Sequence, residues 1–395
     1  MLFNLITPEK FLQKLYKYFT DPNKMRALVT GGAGLIGSHI ADLLLSKGFK
    51  VRIIDTLQKE KHPYGKPDWM PKEAEFIQGD VADKAEVEKA LQDVDAVFHQ
   101  AAYGGFAPDI TKYFYTNSIG TINIFTIIKE KKLPVEKVVV ASSQGVYGEG
   151  TYKCEEHGIK EPFPRPIEQM KKGEWKMKCD VCEKGMKAIA TNEKRVTRPA
   201  SFYSLTKYDT EWSTLRFGRD LNIPTVALRY SITYGPRQSI YNPYTGICSI
   251  FSVRILNNLP PVIYEDGNQL RDFVFVEDVA KANLFVYENK KITNDVFNVG
   301  TGKPTNVLQF VQELNNAYKT EIEPQIPGEF RPGDVRDLYS DNKKLEAAGF
   351  TPKVTLKEGI KKYVEWIETR GNLKDYFDNA RQLLKERGIV IPTSK

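Results

Sequence analysis

RALVTGGAGLIGSHIADLLL, residues 26–45, sets a short apolar run against a glycine cluster and follows it with a helical pattern. In a strand-turn-helix context Gly31, Gly34 and Gly37 let the turn close, let a diphosphate approach the backbone, and let helix and strand pack. The amides at the start of the helix, at Leu35 and Ile36, favour negative charge. A purely structural turn is the alternative. About twenty residues on, Asp55 ends the next apolar run, KVRIID, where a carboxylate accepts from a ribose 2′-hydroxyl and repels a 2′-phosphate; this favours NAD over NADP. Asp80 and Val81, in QGDV after a third run, are placed to meet the adenine edge, with a helix cap for the stretch starting near Asp83 as the other reading.

Outward from this unit the pattern alternates strands with helices: KVRIID, AEFIQ, a helix near 83–91, DAVFHQ, a long helix near 109–131, and KVVVAS. Nearly continuous apolar strands are expected where helices cover both faces, so the fold class is α/β, a doubly wound parallel sheet of Rossmann type. The pattern breaks between about 150 and 200, where a polar, Lys- and Pro-rich stretch holds three of the four cysteines and reads as an insertion. The expected organisation is an N-terminal amphipathic extension over 1–24, a nucleotide-binding domain over 25–237, a smaller C-terminal substrate-binding lobe over 238–370 from which 272–300 returns to the first domain, and a helical tail over 371–395. In the extension, Phe11, Leu12, Leu15, Tyr16 and Phe19 recur at helical spacing, which predicts packing on the body or on a second subunit rather than a membrane-surface role.

At 395 residues the chain can bury a substantial core. Its 57 basic and 50 acidic residues give a formal +7 spread along the chain, which suits an anionic small molecule as well as nucleic acid and singles out neither. Four cysteines are too few for a disulfide scaffold and fit a reducing cytoplasm. No stretch approaches the roughly 18 apolar residues that span a bilayer, and the N-terminus lacks the apolar core and cleavage site of a signal peptide.

Tyr203 and Lys207 in FYSLTKYDTEW stand four apart, hence on one face of a helix. A phenol has an unperturbed pKa of about 10, and a neighbouring ammonium together with a positively charged nicotinamide favours the phenolate, so Tyr203 could act as a base near neutrality. Ser143 ends the strand between the glycine cluster and this helix.

Together TGGAGLIGSH, GDV, HQAA, Asn117, SSQGVYG, YSLTK, LRYSITYGPRQ, RDFVFVEDVA, FNVG and RPGD occur in order and resemble the extended short-chain dehydrogenase/reductase superfamily, in its NAD-dependent nucleotide-sugar epimerase/dehydratase branch, from about Arg26 to about Ile367. The resemblance implies a catalytic group of Ser143, Tyr203 and Lys207, with Tyr203 taking a proton from a sugar hydroxyl, Lys207 holding the nicotinamide ribose and lowering the Tyr203 pKa, and Ser143 bonding the reacting oxygen. It places Ala101, Ala102, Asn117 and Tyr230 beside the dinucleotide. It puts Gln144, Arg237, Asn242, Arg271, Arg331 and Asp334 toward a nucleotide-diphosphate sugar, the last three on the diphosphate and ribose, with surface ion pairs as the plain alternative for those arginines. It also implies a homodimer built on a four-helix contact.

Sugar 4,6-dehydratases of this family carry an Asp-Glu pair after the strand-end Ser or Thr. Here Gln144 and Gly145 stand there, so the expected reaction is 4-epimerization: oxidation at C4, then return of the hydride to the other face. Ser231 and Ile232 replace a common Phe-Asn of the family, so the substrate contact there differs. In the insertion, Cys154-x-x-His157 and Cys179-x-x-Cys182 form two half-sites of a tetrahedral, structural zinc pattern, with unmetallated thiols as the alternative; placed between VYG and Tyr203, the insertion could act as a flap over the sugar. A similar insertion in the dTDP-L-rhamnose 4-epimerase-like subgroup points to a 6-deoxy sugar. The lysines of the loop lack an aromatic platform for nucleic acid. The other readings are a sugar-nucleotide reductase, a C2-epimerase, a 4,6-dehydratase, and a catalytically silent NAD-sensing scaffold, for which three retained catalytic residues would be superfluous.

Overall fold

The computed structural model describes residues 25–104, 109–241 and 246–394. The amphipathic pattern of Phe11, Leu12, Leu15, Tyr16 and Phe19, and the predicted contact residue Asn242, lie outside them.

Seven strands form the central sheet: β1 (Arg26–Thr30), β2 (Lys50–Asp55), β3 (Glu75–Gln78), β4 (Ala96–His99), β5 (Lys137–Ser143), β6 (Thr225–Tyr230) and β7 (Asp295–Val299). Their order is β7-β6-β5-β4-β1-β2-β3, with every pair of neighbours parallel. Successive side chains serve opposite faces. Val29, Phe98, Val139 and Leu228 join one core, while their neighbours Leu28, Val97, Val138 and Ala227 join the other. Burial on both faces is why these strands read as unbroken apolar runs.

Helices α1 (Leu35–Ser46) and α5 (Val276–Glu288) cover the first face. Helices α2 (Lys84–Ala90), α3 (Gly120–Glu130) and α4 (Phe202–Leu221) cover the second. The long helix expected near 109–131 is interrupted: an α turn at Ile110–Tyr113 runs into a π-helical segment, Phe114–Ile119, before α3 begins. A hydrophobic period does not encode such a bulge, which carries the buried Asn117. Strand order reverses between β1 and β4, so a crevice opens at their carboxyl ends.

The smaller lobe has its own core of Phe251, Phe273, Phe275, Phe310, Leu314 and Tyr363, drawn from helices Ile247–Leu256, Val307–Tyr318 and Leu356–Glu368 and from strand Phe273–Phe275. The insertion is a three-stranded antiparallel sheet, Thr151–Cys154 between Gly158–Lys160 and Lys187–Ile189, with a short helix at Ile167–Lys171. After helix Phe377–Glu386, Ile391–Pro392 pairs antiparallel with Glu329–Phe330. Among the described residues no helix is long and apolar enough to cross a membrane.

Candidate active site

The glycine turn fits a dinucleotide for reasons of space. Gly31 has φ +67°, and a Cβ there would sit 2.8 Å from the Ala101 backbone. A Cβ on Gly37 would lie 2.3 Å from the Gly31 carbonyl oxygen, so only glycine lets α1 settle on the turn. Gly34, in contrast, meets nothing nearer than 3.4 Å, which leaves the amides of Leu35 and Ile36 approachable. The Asp55 carboxylate stands at the lip of the turn, accepting from the Ala33 amide (3.0 Å) and the Leu57 amide (2.9 Å). Asp80 accepts from the Ala82 amide, and the cap of α2 is Asp83, so the cap reading belongs to Asp83 and leaves Asp80 at the crevice. Val81 packs where a Cβ on Gly120 would come within 2.5 Å.

Two residues expected beside the dinucleotide are held by side chains and backbone around the crevice. Asn117 accepts from the Tyr103 amide (2.8 Å) and donates to the Tyr103 carbonyl (3.0 Å) and to Thr206 Oγ1 (2.8 Å), which fixes the loop carrying Ala101 and Ala102. The Tyr230 hydroxyl is buried against Gln100 and Asn283.

The three residues expected to be catalytic lie at the end of β5 and on the first two turns of α4. Ser143 ends β5, its Oγ accepts from the Gly145 amide at 3.1 Å, and it lies near enough to the Tyr203 hydroxyl to favour the phenolate. The alternation of β5 turns the preceding Ser142 inward, where its hydroxyl donates to Glu211 of α4 (2.8 Å). Glu211 is in turn held by Arg229 of β6, with Nε to Oε2 at 2.9 Å, so strand and helix are locked in register. A capping box of Ser201 and Ser204 fixes the start of α4, one residue before Tyr203. Lys207 lies one turn further along and is buried, with no protein hydrogen-bond or ion-pair partner among the described residues. Burial holds its pKa down, to about 8. An orphaned ammonium at this position fits a ribose hydroxyl pair as its missing partner. Burial pushes the Tyr203 phenol above its ordinary value, with Ser143 opposing; Lys207, expected to lower it, is not among the groups that shift it in the protein alone. Gln144 is buried with its Oε1 unpaired, and Gly145 has no side chain, so the turn after Ser143 offers no carboxylate.

On the lobe side, Arg331 donates through Nε (3.0 Å) and Nη2 (2.7 Å) to Asp334. Burial would raise the Asp334 pKa, but Arg331, Arg271 and Arg165 converge on it and hold it low. Arg271 reaches the carbonyls of Val335 (2.7 Å) and Arg336 (2.8 Å). Arg237 is drawn to Asp42 of α1 (2.6 Å), leaving its Nη1 buried without a partner. Sequence reasoning passed over Lys61, whose ammonium lies 3.4 Å from the Ala102 carbonyl across the glycine turn, and over Arg165 and Glu265, which meet as a buried ion pair. Lys61 follows Asp55 by six residues, which could have flagged it; Arg165 and Glu265 are 100 residues apart and carry no such signal.

In the insertion the ligand atoms of Cys154, His157, Cys179 and Cys182 lie within 4.8 Å of one another. Cys154 Sγ is 3.7 Å from Cys182 Sγ and 3.6 Å from His157 Nδ1, and Cys179 Sγ is 3.7 Å from the same nitrogen. A tetrahedral ion bound at about 2.3 Å to sulfur and about 2.05 Å to nitrogen has S–S edges of about 3.8 Å and S–N edges of about 3.6 Å, so the four groups already outline its coordination shell.

The family model described as "NAD dependent epimerase/dehydratase family" matches residues 27–169 and 181–300. A Methanocaldococcus jannaschii protein provisionally designated UDP-glucose 4-epimerase is 37% identical, covering 86% of this chain and 98% of its own. The dTDP-L-rhamnose 4-epimerase of Burkholderia thailandensis is 31% identical, covering 87% and 94%. Nucleotide-sugar decarboxylases are also among the relatives. The crystal structure of a UDP-glucose 4-epimerase from Thermotoga maritima, with UDP-glucose, superposes with TM-score 0.71 at 32% identity over 88% of this chain and 99% of that one. With its parallel sheet, glycine turn and Ser143–Tyr203–Lys207 group in place, the chain belongs to the NAD-dependent epimerase/dehydratase family.

Proposed function

We propose that the protein is a nucleotide-sugar 4-epimerase. The observation that carries this reading is the turn after β5: Ser143 lies beside the Tyr203 hydroxyl, and the next two positions, Gln144 and Gly145, provide no acid or base for eliminating water. When bound, NAD supplies the reversible two-electron step at the sugar carbon. Gly31, Gly34 and Gly37 make room for its diphosphate, Asp55 meets its adenosine ribose, and Lys207 meets its nicotinamide ribose. Tyr203 takes the proton of the C4 hydroxyl as the carbonyl forms and returns it when the sugar is reduced on its other face. Ser143 holds the reacting oxygen throughout. Arg271, Arg331 and Asp334 receive the nucleotide diphosphate and ribose; a 6-deoxy sugar on dTDP is the leading substrate, in line with the relative from Burkholderia thailandensis.

Cys154, His157, Cys179 and Cys182 hold a structural zinc, which four protein ligands leave without an open coordination position. Metal analysis of the purified protein should find about one zinc per chain, and less than about a tenth of an equivalent would reject the site. Exposed apolar side chains on two neighbouring elements, including Phe114, Tyr115, Ile119, Leu205 and Trp212, support a homodimer through the helices at 110–130 and 202–221. Free cysteines throughout the described residues support a reducing, cytoplasmic setting.

The deciding experiment incubates the protein with a panel of UDP-, dTDP-, GDP- and CDP-sugars in deuterium oxide and follows the sugar protons by NMR. Inversion at C4 without deuterium in the ring is the expected result. Loss of water, release of carbon dioxide from a uronic acid, deuterium at C5, or no turnover would each overturn the epimerase reading.

A further inference from the structure

The insertion is fastened to the lobe by charged groups out of contact with water. Arg165, fully buried, gives Nη1 and Nη2 to the two oxygens of Glu265, each at 2.8 Å. Nη2 also reaches the carbonyl of Asp334 (3.1 Å) and Nη1 that of Trp175 (3.1 Å), while Nε is buried without a partner. Glu265 also accepts from Arg336 at 2.8 Å, so one carboxylate joins the insertion to the segment Arg331–Asp337. Glu265 has φ +59°, a conformation that favours glycine, so its side chain is retained there against backbone strain. Its amide donates to the Glu329 carbonyl, and Phe330, the residue before Arg331, takes the edge of the Trp175 ring at 5.8 Å. From the other side, the buried Glu149 carboxylate receives the amides of Arg336 (3.0 Å) and Asp337 (3.1 Å) together with the Tyr152 hydroxyl (2.9 Å). Tyr152 and Cys154 share one strand of the insertion, and Trp175 lies four residues before Cys179.

We propose that Arg165 is a positioning residue for nucleotide binding: through Glu265 and the Asp334 carbonyl, it lets the folded Cys/His insertion set the placement of Arg331 and Asp334. This rests on the reading of Arg271, Arg331 and Asp334 as the nucleotide contacts. A bidentate pair with two further carbonyl bonds is a directional constraint, and a lysine cannot reproduce it. The insertion therefore governs how tightly the nucleotide is held and leaves the chemistry at Tyr203 to its own elements.

The test compares Arg165→Met, Arg165→Lys and the double variant Arg165→Met/Glu265→Gln with the unsubstituted protein. UDP and dTDP binding is measured by calorimetry, KM and kcat with the sugar that turns over, bound NAD by absorbance, and amide exchange across 329–337 by mass spectrometry. In Arg165→Met, nucleotide affinity should fall about tenfold or more, with KM rising to match. Its kcat should stay within about twofold, NAD content should be unchanged, and exchange should quicken at 329–337 but not at 31–35. Arg165→Lys should recover part of the affinity. The double variant, freed of an undercompensated buried carboxylate, should regain thermal stability without regaining affinity. Folded Arg165→Met with nucleotide affinity within twofold of the parent, or with unchanged exchange at 329–337, overturns the proposal. Failure of the unsubstituted protein to bind either nucleotide overturns the reading of the site and the proposal with it, a result distinct from tight binding that is indifferent to Arg165.

Discussion

Replacing Lys207 with Met should make the cofactor-free protein more stable while abolishing its turnover. In the folded chain the ammonium is 2% exposed, and desolvation lowers its pKa from 10.5 to about 8. A gap of about 2.5 pH units, at roughly 1.4 kcal/mol per unit, makes the buried charge a penalty of about 3 kcal/mol on folding. Because the unfolded chain holds this proton more tightly, the full penalty applies below about pH 8. It fades as the pH rises toward 10.5, where folded and unfolded chains both carry a neutral amine. Met removes the charge and keeps a similar volume. At pH 7 the variant should gain up to about 3 kcal/mol, read as a higher urea midpoint on protein stripped of NAD, and the gain should shrink steadily between pH 8 and 10.5. A variant no more stable than its parent at pH 7, or a gain that does not change with pH, would refute the assignment of Lys207 as an orphaned buried cation held for the cofactor.

Tyr203→Phe should lower kcat by about two to four orders of magnitude while NAD, read from absorbance of the purified protein, stays bound. Gly37→Ala, which places a methyl group 2.3 Å from the Gly31 carbonyl oxygen, should cost about 1–3 kcal/mol in stability and weaken NAD retention on gel filtration. Arg229→Met strips the buried Glu211 carboxylate of its partner and should destabilise by about 3–5 kcal/mol in thermal or urea unfolding; adding Glu211→Gln should recover much of that loss. Trp212, 54% exposed on α4, should on replacement by Asp halve the mass seen by light scattering if that helix forms the dimer contact.

The sheet was legible because its strands are buried on both faces and its first turn demands glycine at Gly31 and Gly37, constraints that act within a few residues. Tyr203 and Lys207 were legible for a related reason: four residues on a helix share a face. The Cys154, His157, Cys179 and Cys182 group could be read because metal ligands come in tight pairs. Asn117 and Tyr230 show where such reasoning stops. Position along the chain brings both to the crevice, but which way each amide or hydroxyl is spent depends on Tyr103, Thr206, Gln100 and Asn283, partners 14 to 130 residues away. The π-helical segment at Phe114–Ile119 and the left-handed backbone of Glu265 were hidden for the same reason, since neither residue composition nor period requires them.

The route of the chain between lobes has a practical side for anyone wishing to change the sugar it accepts. After β6 it enters the smaller lobe, returns to lay down α5 and β7 against α1 and β6, and leaves again. No single cut separates the two. A transplanted lobe from a relative would need at least three splice points, before 232 and on either side of 276–299, and each junction would have to preserve the strand pairing beside it. Chimeras joined at one crossover should therefore misfold, whereas exchanges that keep both 276–299 and the helix Lys343–Ala347, whose Leu345 packs in the core of the central sheet, leave the nucleotide-binding frame intact.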